Sequence, residues 1–217
     1  MAIEVQTVTV GPFAENCFLL RSEGSDRLLI VDPGEEPERL LNAAELMGGK
    51  IEAILLTHCH VDHIGAVSPV AAASGTPVYC PRLEANLLSE INTIVQVPGM
   101  GPYEDYEPDE LLSGGEVLEL AGLTLDVIAT PGHAPGHVTY SVRGEDAIFS
   151  GDVLFQGSVG RVDLPGGDWP TLAASIRDLI DAHPAETMVF PGHMGLTTLE
   201  REIASNPFLA DLPAAAE

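Results

Sequence analysis

The sequence predicts an α/β protein in which two sheets pack face to face with helices outside. Three observations predict it: short β-branched runs alternate with helical patterns, the chain divides into two halves that each read as sheet plus helices, and no low-complexity linker or short-period repeat interrupts them. At 217 residues, 45% hydrophobic and 19% charged, the chain has the make-up of an ordinary globular protein and is expected to form one domain over 1–217.

Residues 3–10 (IEVQTVTV) alternate apolar and polar as a half-buried strand does, and 17–20 (CFLL) and 27–32 (RLLIVD) read as its neighbours in an opening meander. Over 37–47, Leu40, Leu41, Ala44 and Met47 recur at helical spacing before Gly48 and Gly49 close the helix. A strand follows at 53–57 (AILLT), then a small-residue helix at 66–74, a strand at 77–80 and a partly helical segment at 81–95. From Val97 to Glu110 proline, glycine and acidic residues dominate, which reads as a surface loop able to wall a substrate cleft. The second half gives strands near 116–120, 123–129, 137–142 and 146–149. Residues 169–182 read as a helix: Pro170 suits its first turn, Leu172, Ile176, Leu179 and Ile180 form one face, and Pro184 follows its end. A strand at 187–190 and a helix near 197–205 complete the pattern, and the tail LPAAAE reads as frayed.

Nine basic residues against 33 acidic ones give a formal charge of -24, and Lys50 is the only lysine. Such a surface repels polyanions, so no nucleic-acid partner is expected, because that binding rests on Lys and Arg neutralising phosphates. The excess itself reads as a solvated acidic surface. The opening stretch is broken by Glu4, Gln6, Gly11, Pro12, Glu15 and Asn16, unlike a secretion signal, and no segment approaches the roughly 20 apolar residues of a membrane span. Cys17, Cys59 and Cys80 are odd in number and irregular in spacing, so free thiols in a reducing cytoplasm are expected.

The sharpest signal is Thr57-His58-Cys59-His60-Val61-Asp62-His63, directly after a buried strand and just before a helix. Histidine and aspartate are costly to bury without partners, whereas a divalent cation satisfies them together. Three further candidates also end apolar runs: His133 in ATPGHAPGH, Asp152 in FSGD and His193 in VFPGH. The glycine beside each, Gly132, Gly151 or Gly192, permits a tight turn that aims a ligand inward.

With His-x-His-x-Asp-His at 58–63, His133, Asp152 and His193, the chain resembles the metallo-β-lactamase superfamily. The runs TPGHAPGH (130–137) and GDVLFQGSVGRVDLPGG (151–167) are similar to the glyoxalase II group, of the short type, since only 24 residues follow His193. The resemblance implies an αββα four-layer sandwich with the site at one edge of both sheets. It implies that one metal takes His58, His60 and His133, that a second takes Asp62, His63 and His193, and that Asp152 bridges both. Imidazole and carboxylate donors suit zinc, the first expectation, and equally iron or manganese.

A metal pair about 3.5–4 Å apart can share a water as a bridging hydroxide, so no serine or cysteine nucleophile is required. With two aspartates and that hydroxide the centre keeps a formal charge of about +1, suited to an anionic tetrahedral intermediate. Asp62 and Asp152 are therefore the carboxylates assigned to catalysis. A thiolate leaves with little protonation because a free thiol has a pKa of ~8.5, which favours a small-molecule thioester, S-lactoylglutathione first, over an amide. The superfamily resemblance leaves two alternatives: a persulfide dioxygenase using one iron, and a hydrolase of lactones or other esters. Flavodiiron oxidoreductases are disfavoured, because their motif has glutamate where His60 stands.

Five other residues are weighed. His137 and Asp32, the latter in VDPG, match motif positions that support the ligands through hydrogen bonds, against bland readings as a strand-start histidine and a turn aspartate. Arg161 matches a basic position that helps hold glutathione and is expected to orient a substrate carboxylate, although Asp163 stands two residues beyond it. His183, at a helix end, is explained by a dipole contact, and Cys59 by packing.

Overall fold

Alternating burial along the strands sets the architecture of this computed structural model, which describes residues 2–94, 97–210 and 212. In the first half, strands β1 (Ile3–Val10), β2 (Glu15–Ser22), β3 (Arg27–Val31), β4 (Lys50–Leu55), β5 (Val78–Pro81) and β6 (Glu110–Leu112) form one sheet in that order. The opening strands are an antiparallel meander and β3 to β6 run parallel, joined through helices α1 (Pro37–Met47), α2 (Val61–Ile64), α3 (Val67–Ser74), α4 (Ala85–Ser89) and α5 (Ile91–Ile94). The second half contributes β7 (Val117–Leu120), β8 (Leu123–Ala129), β9 (Val138–Val142), β10 (Ala147–Gly151), a short hairpin of β11 (Leu154–Phe155) and β12 (Ser158–Val159), helix α6 (Trp169–Ala182), β13 (Met188–Pro191), β14 (Thr197–Thr198) and helix α7 (Leu199–Ser205). Its sheet runs β14-β13-β10-β9-β8-β7, with β10 and β13 parallel.

Successive side chains of a strand point to opposite faces, and here both faces are covered. Phe18 and Leu20 of β2, with Leu29 and Val31 of β3, join Leu125, Val127, Tyr140 and Phe149 between the sheets. Their neighbours Cys17, Leu19, Leu28 and Ile30 turn outward to Leu40, Ala44, Val67 and Val70 of α1 and α3. That two-sided burial is why CFLL and LLIV read as unbroken apolar runs. On the far side Leu172, Ile176 and Leu179 of α6 cover Ile148 and Val189. The layers are helix, sheet, sheet, helix: the αββα sandwich.

Beneath one edge of the sandwich, Phe18, Phe149 and Phe190 form a buried trio, with ring centroids 5.4, 5.6 and 4.7 Å apart. Phe149 and Phe190 each lie three residues before a candidate ligand, Asp152 and His193. Truncating a packed phenylalanine costs about 3–5 kcal/mol, so this trio makes a stiff floor for the loops above it.

Several boundaries differ from the sequence reading. The strand expected at 53–57 begins at Lys50, in parallel register with Arg27, and ends at Leu55, because the Thr57 N–H turns away from the sheet to Asp32 Oδ1 at 2.7 Å. The strand expected at 17–20 spans Glu15–Ser22, since all eight residues pair with β1. The segment 81–95 holds two short helices up to Ile94, and residue 95 lies outside the described residues. The 97–110 loop gives way at Glu110 to an edge strand paired with β5. The helix expected at 197–205 starts at Leu199, where Thr198 caps it by accepting the Arg201 N–H; the two residues before it pair with β13. The β11–β12 hairpin was too short to carry a periodic signal. Of the tail expected to fray, residues 213–217 lie outside the described residues. Among the described residues no helix is long and apolar enough to cross a membrane.

Candidate metal centre

Each ligand loop leaves the same edge of the sandwich. β4 leads through Leu56 and Thr57 to His58 and His60, and the one-turn helix α2 carries Asp62 and His63 on adjacent positions. β8 ends into the Thr130–His137 loop, β10 delivers Asp152 and β13 delivers His193. All seven residues singled out from the sequence come together there. His58 Nε2 and His133 Nε2 approach His60 Nδ1 at 3.1 and 2.8 Å. Asp62, His63 and His193 form a second group, with Asp62 Oδ2 3.3 Å from His193 Nε2 and 3.9 Å from His63 Nε2. Asp152 lies between the groups: Oδ1 is 3.4 Å from His63 Nε2, and Oδ2 is 3.5 Å from both His133 Nε2 and His193 Nε2.

Hydrogen bonds fix where the ring protons sit. His133 Nδ1–H donates to the carbonyl of Arg161 at 2.8 Å, and His63 Nδ1–H to Asp32 Oδ2 at 3.1 Å. The Thr57 hydroxyl donates to Asp32 Oδ2 at 2.6 Å and so accepts from His58 Nδ1–H at 3.1 Å. In the neutral rings of His58, His63 and His133, Nε2 is thereby the nitrogen that presents its lone pair to the centre. His63 Nε2 and Asp152 Oδ1 are buried with no hydrogen-bond partner among the described residues. Converging lone pairs and an orphaned carboxylate oxygen are unfavourable alone, and a divalent cation is the partner they fit.

Burial is the largest influence on each of these groups and opposes charge. With help from neighbouring rings, His63 first, it holds His58 far below the usual imidazole range, and it lowers His60 to about 4. In the second group the carboxylates overcome burial: Asp152 raises His63, and Asp62 and Asp152 raise His193. The first group is thus a set of neutral imidazoles and the second is rich in anions.

Two supporting residues stand where the sequence suggested. Asp32, held at a positive φ of 52° in the turn after β3, accepts from Thr57 and His63 together. His137 accepts the Asp152 N–H at 3.1 Å through Nε2 and faces Thr130 Oγ1 through Nδ1 at 2.9 Å. Arg161 differs from its expectation. Its guanidinium is a surface group in a bidentate pair with Asp163 at 2.6 and 2.7 Å, and only its carbonyl reaches the cluster, because the two-residue spacing lets the neighbouring carboxylate capture the fork. His183 donates to the carbonyl of Leu179 at the end of α6, and Cys59 is buried with its Sγ 3.4 Å from Cys80 Sγ.

The glycines act in two ways. Gly132 and Gly151 have positive φ, as tight turns require, but Gly192 does not; there a Cβ would lie 2.4 Å from Asp152 Oδ1 and 2.7 Å from His63 Cε1. Gly192 is needed for space.

Sequence reasoning missed Glu15, Asn16 and Glu84. Asn16 Nδ2 donates to the carbonyls of Pro191 and Met194 at 3.0 and 2.9 Å, and its N–H to Gly192 at 2.7 Å, so it clamps the His193 loop. Glu84 Oε1 accepts the Gly136 N–H at 2.7 Å, tying the turn after β5 to the His133 loop. The only available signal was a pair of polar residues opening the buried run ENCFLL.

Comparisons with known proteins agree with this geometry. A model of the metallo-beta-lactamase superfamily matches residues 10–193. The hydroxyacylglutathione hydrolase GloC of Haemophilus influenzae is 34% identical over 209 residues, covering 95% of this chain and 98% of that protein. Among solved structures, the BLEG-1 B3 metallo-beta-lactamase is 38% identical with a TM-score of 0.88, over 95% of this chain and 99% of its own. TTHA1623 in a di-iron-bound form is 41% identical with a TM-score of 0.83, over 94% and 100%. The chain belongs to the metallo-beta-lactamase superfamily.

Proposed function

We propose that this protein is a dinuclear metal-dependent hydrolase of acyl-thioesters, similar to hydroxyacylglutathione hydrolases, with S-lactoylglutathione the first substrate to test. In this reading His58, His60 and His133 hold one ion, Asp62, His63 and His193 hold the other, and Asp152 serves both. The observation that carries it is the position of Asp152, within 3.4–3.5 Å of ligand nitrogens from both groups. The donor set suits zinc, iron or manganese, and the di-iron form of TTHA1623 keeps iron among the candidates.

When bound, such an ion pair supplies an activated water and a partner for the charge that develops on the attacked carbonyl. The chain's own part is to hold the donors fixed. Asp32 and Thr57 orient His58 and His63, the Arg161 carbonyl orients His133, and His137 anchors the main chain of Asp152. A thiol leaving group, with a pKa of ~8.5, asks for no dedicated proton donor.

The similarity to BLEG-1 favours a second reading, β-lactam hydrolysis. Metal quantification alongside a panel of acyl-thioesters, lactones, a β-lactam and a persulfide separates the readings. About two ions per chain with thioester turnover supports the proposal. One iron with oxygen uptake on the persulfide supports the dioxygenase reading instead. His58→Ala should lower turnover by orders of magnitude; unchanged hydrolysis in a contaminant-free preparation refutes the assignment.

A further inference from the structure

Strands β5 and β6 run parallel to β4, so the turns after them leave the sandwich at the edge where β4 delivers His58. A cavity of about 310 Å³ opens there, lined by Arg82 and Leu83 after β5, Ser113 after β6, and Pro131, Pro135 and Gly136 from the loop that carries His133. A chain advances at most ~3.6 Å per residue, so Gly136 lies within roughly 11 Å of His133. Cavity and first donor group therefore share one loop.

The walls divide by chemistry. Leu83, 68% exposed, and the two prolines give apolar surface. Arg82 supplies positive charge: its main-chain N–H donates to the carbonyl of Leu112 at 2.7 Å and its Nε to Ser113 Oγ at 3.3 Å, which fixes the side chain at the cavity's edge. Its terminal nitrogens have no hydrogen-bond or ion-pair partner among the described residues. Arg21, Arg27, Arg39, Arg143 and Arg161, by contrast, each hold a carboxylate, on a chain with 33 acidic residues against nine basic ones. Glu84 turns behind Gly136 to accept its N–H, is buried, and does not line the cavity. A guanidinium left clear of carboxylates on so acidic a chain is free to receive one from a ligand, and its planar fork matches that group.

We propose that Arg82 is a specificity-determining residue: the cavity takes the thiol portion of the substrate, and Arg82 pairs with a carboxylate at the far end of that portion. This rests on the thioester reading above and names the substrate class more closely, as thioesters of thiols that carry an acid. Arg161 does not serve here, because Asp163 holds its fork.

The test compares two thioesters that differ only in that charge, S-lactoyl-N-acetylcysteinylglycine and its C-terminal amide, on the metal-loaded protein. Wild type should turn over the acid with a kcat/KM about three- to tenfold above that of the amide, mainly through a lower KM, and the preference should shrink as salt is raised. Arg82→Gln should bring the ratio close to one, and Arg82→Lys should keep part of it. A merely structural role for Arg82 would slow both substrates alike and leave their ratio untouched, which overturns the proposal, as does a wild-type enzyme indifferent to the charge. Binding gives a readout without turnover: the S-methyl thioether of N-acetylcysteinylglycine, which has no thioester to hydrolyse, should bind wild type about three- to tenfold more tightly than Arg82→Gln by calorimetry. Equal binding counts against the proposal. Should that difference appear while neither thioester is hydrolysed, the carboxylate site stands and the thioester reading falls; turnover with no charge preference has the reverse meaning.

Discussion

The Asp152 main chain and the His137 ring are joined by one hydrogen bond, N–H to Nε2 at 3.1 Å, linking the turn after β10 to the loop after β8. The bond fixes the His137 tautomer, so Nδ1–H donates to Thr130 Oγ1 at 2.9 Å and Thr130 can donate onward to Thr139 at 3.0 Å. Burial, aided by the charge of His133, holds His137 far below the ordinary imidazole range, so the ring is neutral as this chain of bonds demands. His137→Ala should therefore loosen the Asp152 backbone and lower metal affinity or turnover about 10–100-fold. Chelator competition on the purified variant checks this; wild-type affinity and turnover would refute it.

Glu84 offers a pH-dependent case. Burial raises its carboxyl above the usual range, against the opposing effect of the Gly136 and Cys59 N–H groups. A group raised on folding contributes stability that is fully present below its unfolded value of ~4.3 and is lost as pH rises through the folded value. At neutral pH Glu84→Gln should be neutral to stabilising, because its amide oxygen still accepts from Gly136. Glu84→Ala leaves the Gly136 N–H unpaired and should cost about 1–3 kcal/mol. In urea unfolding at about pH 5 and about pH 8, the advantage of Glu84→Gln over wild type should grow toward the higher pH. The opposite trend contradicts the argument.

Metal removal should destabilise the fold. His60 sits at about 4, so at neutral pH no proton takes the place of a cation among the first group's nitrogens. An ion present at 100 times its dissociation constant adds about 2.7 kcal/mol. For a chain of this size that is a fall of roughly 5–10 °C on chelation, reversed by adding metal back. A melting curve indifferent to chelator would argue against a structural hold on the ions.

The Arg161–Asp163 pair makes substrate charge testable. Because Asp163 occupies both arms of the guanidinium, Arg161→Gln should change kcat/KM for a carboxylate-bearing thioester by less than about twofold. Asp163→Asn frees the fork and should raise it about threefold, with a neutral thioester little affected. Steady-state kinetics on the two substrates decide the matter; a large loss with Arg161→Gln would return Arg161 to the substrate site.

Local pattern carried a great deal of this protein. Periodic apolar runs placed the strands and helices, and α6 matched its expected 169–182 span because Pro170, one apolar face and the following His183-Pro184 all act within a few residues of one another. His58, His60, Asp62 and His63 were legible because they crowd one strand end, and His133, Asp152 and His193 because each ends an apolar run beside a glycine. Glu15 and Glu84 gave no such sign: their roles depend on partners such as His63 and Gly136 that lie 48 and 52 positions away in the chain. The same holds for Arg161, whose motif pointed to its side chain while the fold uses its carbonyl. Composition and spacing picked out the seven side chains that the fold brings together and the segments that are strand or helix, since both depend on near neighbours. Only the packing of the two sheets decided which buried acids face the centre and which donor meets which acceptor, because hydrogen bonds and desolvation are set by atoms a few ångströms apart in space, whatever their separation in sequence.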